Sequence, residues 1–143
     1  MTDPKNVSLQ VSHTFAAASE RVFDAWLDPK KAGKFLFATP TGEMVKVEID
    51  ARIGGKFRFV ERRDGIDVEH VGEYLEIERP KRLVFSFGVP LYSDQFTRVA
   101  IDIVSRGTGC ELTLTHENVL PDYRDQTISG WGKILDGLAQ NLA

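Results

Sequence analysis

Val7, Leu9, Val11, His13 and Phe15 alternate with Ser8, Gln10, Ser12 and Thr14, and this period of two predicts a strand with one covered face. The period then changes. Ser19-Glu20 ahead of Val22, Phe23, Trp26 and Leu27 predicts a short helix capped by Ser19 and stopped by Pro29, with a second short helix from Lys30 to about Leu36. From Glu43 the period is two again, broken by turn chemistry at Gly54-Gly55, Asp64-Gly65, Glu78-Arg79-Pro80-Lys81, Pro90 and Gly107-Thr108-Gly109. Strands are expected over Glu43 to Asp50, Lys56 to Glu61, Ile66 to Glu78, Arg82 to Gly88, Gln95 to Ser105 and Cys110 to Asn118. Their short connections imply an antiparallel meander. After Pro121 the spacing of Ile128, Trp131, Leu135, Leu138 and Leu142 is that of a long amphipathic helix.

Dimensions dictate curvature. Seven strands about 4.8 Å apart make a sheet roughly 30 Å wide, against a helix about 10 Å across. A flat sheet would leave most of its apolar face in water, so the sheet must curl around the helix, with the two short helices closing one end. The fold class is therefore α+β. A curved sheet meets a straight rod only in places, and the space left must be filled by large side chains or by a ligand. The expected lining is Trp26, Phe35, Phe57, Phe59, Tyr74, Phe85, Phe87, Val99, Leu114, His116, Trp131 and Leu135. The last helix also contains Gly130, Gly132 and Gly137, each costing about 1 kcal/mol against alanine. The sequence reading assigns Gly132 and Gly137 to close approaches between the helix and a strand or the cavity.

Composition narrows the partners. The 143 residues suit one domain over 7–143 after a flexible start at 1–6. A net charge of -3 offers no basic face to nucleic acid. Neither a secretory signal nor an apolar span is apparent, which predicts a cytoplasmic protein without membrane insertion. The single cysteine, Cys110, excludes an internal disulfide and should pack as a small hydrophobe.

Candidate chemistry is sparse. His116 shares parity with Leu112 and Leu114 and should point inward, where an imidazole can bind a ligand or act as a base; the alternative is that it satisfies local backbone. His13 is inward by the same alternation, and the side taken by His70 is open. Tyr74 with Glu73 and Glu76 could form the polar end of an apolar pocket, though strand glutamates are more often solvated. The runs Glu61-Arg62-Arg63-Asp64 and Lys30-Lys31 read as solvated surface. The histidine spacing does not suit a metal, no cofactor is expected, and no nucleophile elbow, phosphate loop or paired catalytic carboxylates appear.

Four runs carry a family resemblance: VEIDARIGGKFRF (Val47 to Phe59), HVGEYLEIERPKRLVFSF (His70 to Phe87), GTGCELTLTHENVL (Gly107 to Leu120) and GWGKILDGLAQNL (Gly130 to Leu142). In this order they resemble the activator of Hsp90 ATPase homologue 1-like (AHSA1-like) family of the START-like superfamily, also called SRPBCC or Bet v 1-like. The resemblance implies a helix-grip fold, a curved antiparallel sheet gripping a long C-terminal helix across a hydrophobic cavity. Gly130 and Trp131 match the family's Gly-Trp pair, and Asp50, Arg52 and Gly54-Gly55 match its Asp-x-Arg-x-Gly-Gly turn. That turn reads as structural: charges closing a hairpin whose glycines permit positive φ.

Fold alone does not select an activity. The favoured expectation is a binding module for a small apolar or aromatic ligand such as a lipid, polyketide or xenobiotic. The alternatives are a cyclase- or hydrolase-type enzyme using His116 or Tyr74, and a chaperone regulator acting through an exposed patch. Homodimerisation through a sheet edge or the short helices stays open.

Overall fold

A computed structural model describes residues 6–142. Residues 1–5 of the expected flexible start lie outside the described residues; at its last position, Asn6 Nδ2 donates to Asn118 Oδ1 at 2.8 Å.

The alternating segments form seven strands: β1 (Val7–Phe15), β2 (Glu43–Ile49), β3 (Lys56–Arg63), β4 (Ile66–Glu78), β5 (Arg82–Phe87), β6 (Thr97–Arg106) and β7 (Gly109–Val119). The helices are α1 (Ser19–Leu27), α2 (Pro29–Phe35) and α3 (Arg124–Leu142), the last preceded by a 3-10 turn at Pro121–Tyr123. All neighbouring strands are antiparallel, in the order β1-β7-β6-β5-β4-β3-β2. β2 to β7 form the expected meander, and β1 closes onto β7. The sheet wraps α3, and the architecture is the α+β helix grip.

Alternation decides what fills the space between sheet and helix. Phe57 and Phe59 of β3, Phe85 of β5, Leu112 and Leu114 of β7, and Trp131, Leu135 and Leu138 of α3 are buried in one apolar cluster. Cys110 packs there as a small hydrophobe. Arg52 pairs with Asp50 at 2.8 Å within the β2–β3 turn, the hairpin is closed by Asp50 N donating to the Lys56 carbonyl at 3.0 Å, and Gly54 takes a φ of 84°, which glycine alone adopts readily.

Local details differ from expectation for physical reasons. Ser19 does not cap α1: it is the first helical residue, buried, and its hydroxyl bonds that of Ser105 at 2.8 Å. Pro29 begins α2 instead of merely stopping α1. Asp28 caps α2, its Oδ1 accepting from Lys30 N at 3.0 Å, and proline suits the first helical turn because its missing N–H is unneeded there. β6 starts at Thr97, two residues later than expected.

The glycines of α3 also need correction. A Cβ on Gly130 or Gly132 would meet nothing within 4 Å, and one on Gly137 would meet Phe35 Cβ at an ordinary 3.5 Å. Close approach therefore explains neither Gly132 nor Gly137. Among the described residues, no helix is long and apolar enough to cross a membrane.

Candidate functional site

Strands β3, β4 and β5 contribute inward side chains to two adjoining groups. In the first, Trp26, Leu36, Phe57, Tyr74, Leu83 and Phe85 surround a cavity of about 10 Å³, room for no more than one water. The edge of Phe35 meets Trp26 with ring centres 5.3 Å apart. Trp26 Nε1 is buried without a hydrogen-bond partner. Val99, Leu114 and Leu135 are fully buried in the same core and bring no polar atom.

The second group is centred on Phe37, which sequence reasoning missed. Its ring lies flat on His70 (4.7 Å, 10°) and on Phe87 (4.9 Å, 4°). The ring planes of His70 and Phe87 are themselves nearly parallel, and their centres, 6.2 Å apart, are too close for the two rings to lie on opposite faces of Phe37, so they form a platform two rings wide. Phe59 and Trp131 approach Phe37 edge-on at 5.3 and 6.1 Å. Pairs of this kind contribute about 0.5–1.5 kcal/mol each beyond burial. Phe37 thus fills the space between curved sheet and straight helix that the sequence left to side chains or ligand. It does so with a φ of 60°, a left-handed backbone that costs a bulky L-residue roughly 1–2 kcal/mol.

The segment after Phe37 is tied to the end of β3. Thr39 donates from its backbone N (2.6 Å) and its hydroxyl (3.0 Å) to Glu61 Oε2. Arg63 Nε bonds Glu61 Oε1, and Arg63 Nη2 donates to the Phe37 carbonyl at 3.5 Å. Glu61 is fully buried, which corrects its reading as solvated surface. Period two puts Glu61 and Arg63 in register with Phe57 and Phe59, and the 37–42 segment covers that end of the strand. The same parity was the signal available in the sequence.

Two buried histidines hold opposite neutral tautomers, assigned by their partners. Trp131 Nε1 donates to His116 Nδ1 at 3.0 Å, so the His116 proton sits on Nε2 and goes to Thr97 Oγ1 at 2.7 Å. Thr97 in turn donates to the Phe87 carbonyl at 3.1 Å. Burial holds the pKa of His116 down to about 4. His70 reverses the pattern: Nδ1 faces the Phe59 carbonyl at 3.4 Å and Nε2 faces Arg63 Nη2 at 3.4 Å. Burial, reinforced by the Arg63 charge, holds His70 down to about 4 as well. Both imidazoles are inward and neutral, and both nitrogens of each are engaged.

The remaining expectations separate. Tyr74 is inward beside Phe57 (5.5 Å), and burial, with Asp50 adding to it, pushes its hydroxyl above the ordinary range. Glu76 is not with it: a register shift between Tyr74 and Glu76 turns the carboxylate to Arg82 and Arg98, each at 3.4 Å. Gly72 leaves the room that the Phe57 ring occupies, since a Cβ there would lie 2.5 Å from it. His13 faces α3 at the periphery, 3.2 Å from Asp136 Oδ1, and stacks on Phe15. Among the described residues, no three His, Cys, Asp or Glu side chains converge to hold a metal ion.

A family model for the activator of Hsp90 ATPase homolog 1-like protein matches residues 16–143. This chain belongs to the AHSA1-like family. Solved structures agree on the fold. A protein from Chromobacterium violaceum superposes with a TM-score of 0.83 at 24% identity, covering 96% of both chains. One from Nitrosomonas europaea gives 0.81 at 20% identity, covering 98% of this chain and 96% of that one. An AHSA1-like protein from Aeromonas hydrophila gives 0.80 at 21% identity, covering 95% of this chain and 92% of that one. None of the curated proteins matches this chain. At these identities the likeness establishes the AHSA1-like fold and leaves the activity to the site.

Proposed function

We propose that this AHSA1-like protein binds a small apolar or aromatic ligand between the inner face of the sheet and α3. The observation that carries the reading is the aromatic surround formed by Phe57, Phe59, Phe87 and Trp131, each in ring contact with the Phe37 side chain at its centre. Ligand pockets have this balance, with apolar walls giving affinity and a few fixed polar groups giving orientation. Catalysis is less well supported. His116 already directs both ring nitrogens to Trp131 and Thr97, and burial moves Tyr74 away from ionisation.

Because the cavity between Trp26, Phe57 and Phe85 holds only about 10 Å³, a ligand enters there by displacing side chains. Its binding energy must exceed that of the contacts it replaces. The test is a thermal-shift panel of fatty acids, sterols, flavonoids and polyketides on the unaltered protein and on Trp131→Ala and His116→Ala. One chemical class should raise the midpoint, by an amount equivalent to about 2.7 kcal/mol at a hundredfold excess over Kd, with the rise reduced in Trp131→Ala. No shift by any class, together with no heat of binding by calorimetry, would overturn the reading.

A further inference from the structure

We propose that the Phe37 ring is a built-in occupant of the binding slot, that flat fused-ring aromatic compounds are the ligands that displace it, and that residues 37–42 are the latch. This rests on the ligand-binding reading above and adds to it the ligand class and the moving part.

Three independent features point to displacement. The first is shape: His70 and Phe87 make a platform whose ring centres are 6.2 Å apart and whose planes are 7° from parallel. The single Phe37 ring covers it from between, 4.7 and 4.9 Å from the two centres. A fused-ring system would overlie both rings at once, gaining stacking area that a phenyl cannot supply, with Phe59 and Trp131 presenting edges at its rim.

The second is strain. Phe37 is held at a φ of 60°, a conformation a bulky residue keeps only where its surroundings over-determine it. A local rotation that withdraws the ring relaxes the backbone, so strain favours release while stacking favours closure. The polar ties are built to hold such a segment: Arg63 on the Phe37 carbonyl, and Glu61 on Thr39.

The third is access. Among the rings that touch Phe37, Phe87 alone is partly exposed, so the platform reaches the surface on its side. The β5–β6 loop that follows carries Leu91, Tyr92 and Phe96, all exposed, and Phe96 lies against Gly88, the residue next to Phe87. The apolar Phe96 ring therefore stands beside the exposed side of the slot.

The decisive measurement uses the full chain with 4-fluorophenylalanine at position 37, titrated with 2-naphthol, and with 1-decanol as the aliphatic comparison. Saturating 2-naphthol should move the fluorine resonance from a buried to a solvent-exposed position. In Phe37→Gly, where glycine accepts the same backbone, 2-naphthol should bind roughly tenfold or more tightly than to the unaltered protein, because the competing ring is gone. Binding to Phe37→Gly alone would mean an engineered void only and would overturn the proposal. Binding to the unaltered protein with the fluorine resonance unmoved would overturn the latch while leaving ligand binding intact. Preference for 1-decanol would overturn the fused-ring class.

Discussion

Trp131 Nε1 donates to His116 Nδ1 across 3.0 Å of buried space, and that bond fixes the protonation of the inner polar chain. With Nδ1 accepting, His116 must be neutral and protonated on Nε2, which in turn orients Thr97 towards the Phe87 carbonyl. The Gly-Trp pair at Gly130-Trp131 thus reaches from the helix through β7 and β6 to the rim of the aromatic platform.

Trp131→Phe keeps most of the ring and removes the donor, leaving a buried acceptor without a partner. The expected loss is about 1–3 kcal/mol, read from urea midpoints. His116→Leu should show a comparable loss, and the double variant should lose less than the sum by about 0.5–3 kcal/mol. Strict additivity would show that the bond contributes nothing.

Acid should unfold this protein through its histidines. Unfolded His70 and His116 titrate near 6.5, whereas folded they are held down to about 4. Between these values the unfolded chain binds more protons, so stability falls as pH drops from about 6.5 to 4, at roughly 2 kcal/mol per pH unit near pH 5. Above 6.5 these two groups leave stability flat. Asp24, held below its ordinary value chiefly by the Arg79 hydrogen bond, adds its own loss only at more acidic pH. His116→Gln keeps a donor and an acceptor without titrating, and should halve the slope measured by urea titrations at successive pH values.

The two partners of the Glu61–Arg63 pair should differ when removed. Arg63 retains some contact with water, its side chain being 30% exposed, while that of Glu61 is 1% exposed. Arg63→Met strands a buried carboxylate and should cost about 3–5 kcal/mol. Glu61→Gln leaves the guanidinium partly hydrated and keeps an acceptor for Thr39, so its loss should be smaller. Equal losses in chemical denaturation would contradict this asymmetry.

Gly130→Ala and Gly132→Ala should each stabilise the protein by up to about 1 kcal/mol, because the added methyl meets open space. A thermal melt of each variant decides it. Destabilisation would mean that the helix requires glycine for a reason other than packing.

Most of the scaffold was legible in the sequence because it depends on local periodicity. Alternation placed β1, β4, β5 and β7 within a residue or two, and the inward parity of His116 and Trp131 followed from the same counting. Parity also carried the burial of Glu61, in step with Phe57 and Phe59, but a charged run invites a surface reading, and nothing local says that a loop covers the strand end.

What only the tertiary structure decided is how the space between sheet and helix is occupied. Phe37 lies in a turn with no periodicity, and its left-handed backbone is a choice made by the rings of His70, Phe59, Phe87 and Trp131, which come from four distant elements. Likewise, Tyr74 and Glu76 share parity, yet one register shift sends the first into the core and the second to Arg82 and Arg98. Side-chain period is a property of each strand; register between strands and the closing of a cavity are properties of the assembled sheet, because their energies come from contacts that exist only after the chain has folded.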